Sequence, residues 1–183
     1  MATLLYSATM SVDGFIAGPG SDMSWLAEHA GPAPVADALV TEVGALLVGR
    51  RTYDGDDPNR GDPEKEGAFA GQWDGRQVVL THRLPGTDVP GVTFNDDLRA
   101  AVALASAAAD AAGGKYVNVL GADVARQCLA AGLLDEVLVF TVPVLLGDGV
   151  RLYSQPGGTR TRLERIATVA PPDAMTAWYR VLR

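Results

Sequence analysis

Arg50 and Arg51 are adjacent, follow Gly49 and precede Thr52, and no Lys or Arg stands before them in the chain. Two guanidinium forks beside a small hydroxyl residue suit a phosphate, through bidentate charge-assisted hydrogen bonds. They equally suit a solvated loop, and the remainder of the chain has to decide. Thr81, His82 and Arg83 again place small polar and basic groups directly after an apolar run, residues 77–80. Gly121-Ala122-Asp123 is a tight small-residue turn into an apolar-periodic segment at Val124. The backbone N–H groups of a helix start attract anions. Asp13, before Gly14, is either an ordinary turn aspartate or the one proton donor the sequence offers. Trp25 is either a lid over a ligand or a core anchor. His82 has no acid or thiol at a recognisable spacing, so no catalytic role follows for it. Cys128 is the only cysteine, which excludes an internal disulfide and a multi-cysteine zinc site. The acids between Gly55 and Gly75 lack the spacing of a calcium loop. No metal is expected.

These segments need elements to hold them. Residues 45–49 (A-L-L-V-G) read as a buried strand reaching its C-terminal edge, which puts Arg50 to Thr52 at a strand-to-helix turn. Residues 3–10 are dense in apolar and β-favouring types and predict a central strand. Ser11-Val12-Asp13-Gly14 then turns, and Phe15-Ile16-Ala17 runs to a break at Gly18-Pro19-Gly20. Such a bend exposes the main chain of Ile16 and Ala17 to a flat amide-bearing ring. A helix is predicted over 34–43, with Val35, Ala36, Leu39, Val40 and Val43 inward and Asp37 and Thr41 outward. Residues 55–75, with Asp56, Asp57, Pro58, Asp62 and Glu64, form either a mobile surface insertion or a flap over the site.

Residues 92–94 predict a short strand, and Asn95 or Asp96 caps an alanine-rich helix that stops at Gly113-Gly114. A strand over 116–120, a helix over 124–131 and a strand over 137–142 follow. A hairpin of 163–168 with 176–182, around Pro171-Pro172, closes the chain. The whole is an α/β fold, a mostly parallel central sheet with antiparallel C-terminal edge strands, in one domain over 1–183.

The net charge of −7 opposes nucleic acid and anionic membranes, so any phosphate site is a local positive spot. No basic flank marks the apolar start as a signal peptide and no apolar run spans a bilayer. A cytoplasmic protein acting on a small molecule is expected.

The segments S-V-D-G-F-I-A (11–17), L-V-G-R-R-T-Y (47–53), V-V-L-T-H-R (78–83), G-A-D-V-A-R-Q-C-L-A-A-G-L-L-D-E (121–136) and P-V-L-L-G-D-G-V-R-L-Y (143–153) resemble, in this order, the dihydrofolate reductase superfamily. Within it the chain is most similar to the riboflavin-biosynthesis reductase domain and its stand-alone relatives. The resemblance implies a three-layer dihydrofolate-reductase-like fold and an NADPH-dependent reductase. It implies that Gly49, Arg50, Arg51 and Thr52 hold the cofactor's pyrophosphate and 2′-phosphate, with Thr81, His82 and Arg83 near the adenosine ribose and its 2′-phosphate. It assigns the pyrophosphate cradle to Leu120, Gly121, Ala122, Asp123, Val124 and Ala125, and the nicotinamide contact to the Ile16-Ala17 backbone, with Thr9 also binding the cofactor. Asp13 and Trp25 would face the substrate.

The family's Gly-Gly pair before the last cofactor helix reads Leu120-Gly121 here. Dihydrofolate reductases carry a pterin-facing carboxylate on the helix before the G-R-x-T strand, whereas Asp37 and Glu42 lie off the apolar face. The expected substrate is therefore an aminopyrimidine with a ribosylamino phosphate, as in 5-amino-6-(5-phosphoribosylamino)uracil reduction. One cysteine excludes the partner deaminase. A homodimer is expected. The alternative is a module on the same fold that binds or sequesters a nucleotide or aromatic ligand without turnover.

Overall fold

Leu4 and Tyr6 point to one side of β1 (Thr3–Ser11), Leu5 and Ser7 to the other, and all four are buried. A strand covered on both faces belongs in the interior of a parallel sheet. The structure is a computed structural model and describes residues 2–29, 31, 33–55, 57, 59, 61–170 and 174–183. Its main sheet also contains β3 (Val43–Gly49), β4 (Arg76–Leu80), β5 (Val92–Asn95), β6 (Tyr116–Leu120), β7 (Glu136–Val142), β9 (Arg162–Val169) and β10 (Met175–Leu182). The order is β5-β4-β3-β6-β1-β7-β10-β9. The first six strands are parallel, and β10 and β9 add an antiparallel edge. This is the α/β arrangement the sequence predicts.

Helices cover both faces. α3 (Leu98–Ala111) lays Ala101, Ala105 and Ala109, and α4 (Ala122–Ala130) lays Val124, Ala125 and Cys128, against Leu4, Tyr6, Leu47, Val117 and Val119. On the opposite face Leu39 of α1 (Pro34–Val40) and Tyr53 of α2 (Arg50–Asp54) pack with Leu5, Leu46, Val48 and Leu138. Asp37 is exposed, as the helical spacing requires.

Several boundaries depart from expectation for identifiable reasons. α1 ends at Val40, and Val43 begins β3. The Glu42 carbonyl accepts from the Lys115 and Tyr116 N–H groups at 2.8 and 3.1 Å, which draws the chain into the sheet before a further helical turn can form. The cap of α3 is Asp97, whose carboxylate accepts from Ala100 N–H, a contact worth roughly 0.5–2 kcal/mol. Asn95 instead accepts from Asp97 N–H, so the residues read as caps stand just before the true one. α4 begins two residues earlier than predicted, at Ala122.

The 55–75 segment is neither a free insertion nor a plain loop. Trp73 donates its indole N–H to the Val43 carbonyl at 2.9 Å, and Ala68, Phe69 and Trp73 pack on the Leu46 face. Asp56 and Pro58 lie outside the described residues, as does the Pro171-Pro172 turn. One pairing had no sequence forecast: β2 (Phe15–Ala17) runs antiparallel to the two-residue β8 (Val150–Arg151).

The end of α3 meets the start of β3 through glycine. A Cβ on Gly44 would stand 2.7 Å from the Ala109 Cα, a backbone atom that cannot swing aside. Gly44→Ala is expected to lower stability by about 1–3 kcal/mol, read as a melting temperature several degrees down. Gly86→Ala, at a position with nothing within 4 Å, is the control and should melt close to the native protein.

Candidate functional site

Parallel strands end at one edge of a sheet, and the crevice outside those ends is where α/β folds bind ligands. Gly49 pairs with Leu80, and Val48 with Leu120. The segments starting at Arg50, Thr81 and Gly121 therefore leave three neighbouring strands at one level. Two of them meet in a cleft of about 420 Å³ lined by Gly20, Ser21, Arg50, Arg51, Asp54, Gly55 and Arg83. Three of the predicted arginines thus share one wall in a protein of net charge −7.

The arginines are held to different degrees. Arg50 donates Nε–H to Asp54 at 2.5 Å and lies over the Tyr53 and Phe94 rings at 5.9 and 5.8 Å. Both members of this i,i+4 pair are well exposed, so it is worth at most about 0.5 kcal/mol. Its consequence is orientation: the aromatic seat and the carboxylate fix one guanidinium against the cleft. Arg51 and Arg83 form no ion pair among the described residues. The Thr81 hydroxyl accepts from Arg83 N–H at 3.1 Å, so Thr81 shapes the turn that aims Arg83 and is itself buried. His82 is exposed and lies outside the cleft lining.

The third segment adjoins without lining the cleft. Gly121, at φ 105°, caps α4, and a Cβ there would sit 2.5 Å from the Thr52 hydroxyl oxygen. A glycine is required on both counts, and the Thr52 hydroxyl stands directly over the helix start. Asp123 lies in the first turn of α4 and accepts from Arg126 at 2.7 Å and Gln127 at 2.8 Å. The Arg126 hydrogen bond, chiefly, holds its carboxyl below the usual range, with a smaller pull from Arg51. An anion at this turn would meet the backbone of Ala122 to Ala125 rather than that carboxylate.

Around the C-terminal end of β1 the predicted residues divide. Asp13 accepts from the Ser11 hydroxyl at 2.6 Å and from the N–H groups of Gly147 and Leu146 at 2.7 and 3.1 Å. These bonds, Ser11 first, hold its carboxyl at about 2, below the ordinary 3.8. It is a clamp between the β1–β2 bend and the 146–147 loop, not a proton donor near neutral pH. Ala17 is buried, and Ile16 sits at the irregularity in the β2–β8 pairing. Trp25 belongs to neither core cluster; its ring meets His29 edge-on at 6.3 Å, and its buried indole N–H has no partner among the described residues. Burial pushes the Cys128 thiol up to about 12, so it is inert.

Sequence reasoning missed a polar pair inside the sheet. Ser7 of β1 donates to the Asn118 amide oxygen of β6 at 2.8 Å, and the fully buried Asn118 Nδ2 has no partner among the described residues. An unmet buried donor costs roughly 1–3 kcal/mol. The signal was present as one asparagine within Y-V-N-V-L. Gly20 and Ser21 were missed because only the fold brings them to the arginines.

The family model of the RibD C-terminal domain matches residues 2–172. No curated protein sequence matches the chain. Among solved structures, a riboflavin biosynthesis protein from Shewanella sp. PV-4 superposes with a TM-score of 0.74 at 23% identity, each chain covered in full. The diaminohydroxyphosphoribosylaminopyrimidine deaminase/5-amino-6-(5-phosphoribosylamino)uracil reductase of Thermotoga maritima gives 0.67 at 16% identity; the match takes in 99% of this chain and 57% of that one. Dihydrofolate reductase from Enterococcus faecalis, complexed with NADP(H), gives 0.59 at 16% identity, with 99% and 97% covered. Likeness at these identities establishes the fold: it is that of the dihydrofolate reductases.

The Asp13 clamp has a pH signature. A carboxyl depressed in the folded state stabilises above its unfolded value and loses that contribution as pH falls through the folded one. Native protein should therefore melt above Asp13→Asn at about pH 5 and higher, with the gap closing between about pH 4 and pH 2. A gap that stays constant across that range would show that the clamp does not depend on charge.

Proposed function

The chain belongs to the RibD C-terminal domain family, and from that footing we propose an NADPH-dependent reductase of a pyrimidine- or pteridine-like small molecule. Its nearest type is 5-amino-6-(5-phosphoribosylamino)uracil reduction. The observation that carries this reading is the meeting of Arg50, Arg51 and Arg83 in one cleft. A cofactor with three phosphates requires such a wall, and the Thr52–Gly121 contact puts the α4 N-terminus next to it. When bound, NADPH supplies a hydride to an electron-poor ring carbon.

The remaining work falls to this chain's own residues. Arg50, preset by Asp54, Tyr53 and Phe94, and the uncommitted Arg51 and Arg83 would grip the 2′-phosphate and pyrophosphate. The backbone of Gly121 to Ala125 would take the remaining phosphate oxygens. Ile16 and Ala17 would present main-chain groups to the carboxamide, with Thr9 beside them. The test is the fall in near-ultraviolet absorbance as NADPH is consumed, against dihydrofolate and aminopyrimidine ribosylamino phosphates. Turnover of the pyrimidines is expected, and dihydrofolate should be poor because Asp37 faces solvent.

A second reading, binding without turnover, is favoured by one observation: the Asp13 carboxylate is engaged by the Ser11 hydroxyl and by the Gly147 and Leu146 N–H groups, bonds that favour its ionised form over that of a proton donor. NADPH that binds in a titration yet is not consumed with any substrate would support it.

NADPH is expected to bind more tightly than NADH. Each good guanidinium–phosphate contact is worth roughly 1.5–3 kcal/mol, about ten-fold or more in affinity. Arg83→Ala, which breaks no ion pair within the described chain, should weaken NADPH by about that factor and leave NADH almost unchanged. Equal affinities of native protein for both cofactors would remove the 2′-phosphate role.

We also propose a homodimer. β9 is exposed along its length and presents Leu163, Ile166 and Val169 at a sheet edge, next to Met175 and Leu182 of β10. Unprotected edges of this kind are usually paired or covered. Light scattering at micromolar concentration should give twice the chain mass, and Ile166→Lys should reduce it. A monomeric native protein would remove the proposal.

A further inference from the structure

We propose that Ser21 is a phosphate contact of the cofactor: its hydroxyl donates to a phosphate oxygen in the cleft that holds Arg50, Arg51 and Arg83. The inference rests on the reading above for the presence of a dinucleotide phosphate there, and on the following geometry for the residue. β2 ends at Ala17, and residues 18–22 form one tight turn. Gly18 N–H donates to the Asp22 carbonyl at 2.8 Å, and Ser21 N–H to the Gly18 carbonyl at 3.1 Å. The base of the turn is packed against Gly149, where a Cβ would overlap the Ala17 carbonyl oxygen and stand 2.8 Å from the Gly18 Cα. The turn is therefore closed on itself and anchored at its base. Of its residues, Gly20 and Ser21, at the tip, line the cleft.

That tip has two successive left-handed residues, Gly20 at φ 72° and Ser21 at φ 68°. Glycine adopts this conformation freely, whereas the Cβ of a serine crowds the following carbonyl. Among the described residues only Ser21, Phe69 and Ala70 combine a side chain with positive φ, and of these Ser21 alone lines the cleft. The turn makes no use of the serine side chain. Ser21 is exposed, and its hydroxyl forms no hydrogen bond among the described residues. The neighbouring Asp22 carboxylate is taken by Ser24 N–H at 2.9 Å and does not line the cleft. Glycine would serve the fold at least as well, and a strained residue kept at a binding cleft points to function. A hydroxyl supplies a donor without a charge. Beside three guanidinium groups it adds a directed bond to a phosphate oxygen and no further repulsion between cations.

The experiment titrates NADPH and NADH by fluorescence, and inorganic pyrophosphate by calorimetry, into native protein, Ser21→Gly and Ser21→Ala. Ser21→Gly should melt close to native or above it, because the strain is relieved, yet bind NADPH about ten-fold more weakly. Ser21→Ala should show the same loss and melt below Ser21→Gly. A loss shared by NADH and pyrophosphate puts the hydroxyl on the pyrophosphate, and a loss confined to NADPH puts it on the 2′-phosphate; either supports the proposal. Native affinity for NADPH in either variant overturns it, since a loss in Ser21→Gly alone would come from a looser turn. Native protein that binds pyrophosphate but not NADPH strikes the reductase reading instead. The pyrophosphate affinities then decide the proposal: a ten-fold loss in both variants supports it, and no loss overturns it. Native protein that binds none of the three probes also overturns it.

Discussion

One topological choice governs this molecule: β1 pairs with β6 over Thr3–Tyr6 and with β7 over Leu5–Ser11. Because the strands from β5 to β7 are parallel, their C-terminal ends lie at one edge, and β1 runs on past the end of β6 there. A wholly antiparallel sheet would have scattered G-R-R-T, T-H-R and G-A-D-V-A over two edges. Here they leave adjacent strands at matching levels, and the small residues Gly49 and Gly121 let α2 and α4 approach closely enough for Val124 and Thr52 to touch the facing glycines. The cleft is therefore a consequence of register as much as of side chains.

The charge pattern follows from the same edge. A chain of net charge −7 repels polyanions at long range, yet three arginines converge on one wall. Nearby carboxylates tune that wall without cancelling it. Asp54 is turned onto Arg50, and Asp123 onto Arg126 and Gln127, so each acid is engaged by its own helix. Exposed i,i+3 and i,i+4 pairs contribute little stability. Their effect is to turn the acids onto their own helices, while Arg51 and Arg83 form no ion pair among the described residues.

Much of this was legible from sequence because the local signals agreed with the global fold. An apolar run closed by glycine marks a strand end wherever it occurs, and it located Gly49, Leu80 and Leu120 within a residue. The inward face of α1 was read correctly at Leu39 and misread at Val43, because 3.6-residue spacing continued by chance into a strand that the Glu42 carbonyl initiates. The β2–β8 ladder was illegible: two strands of three and two residues carry no periodicity. The insertion was illegible for a related reason, since Trp73 is anchored by a backbone carbonyl thirty positions earlier. Cysteine and metal arguments needed only counting and are independent of the fold.

Two polar groups lie on the same face of β1, and they differ in how fully they are satisfied. At its end, Ser11 donates to Asp13 and accepts from Phe15 N–H, and Asp13 takes two further N–H groups from the 146–147 loop. Each group there has its partners within the chain, so the network is complete and its product is a fixed bend. Four residues earlier, Ser7 satisfies one end of Asn118 and nothing among the described residues satisfies the other. Partial satisfaction in a low-dielectric interior is costlier than either a full network or plain apolar packing. Folding alone selects against it. The saturated network explains the shape of the bend. The unsaturated one lies beside the last shared bridge of β1 and β6, in the closed interior of the sheet.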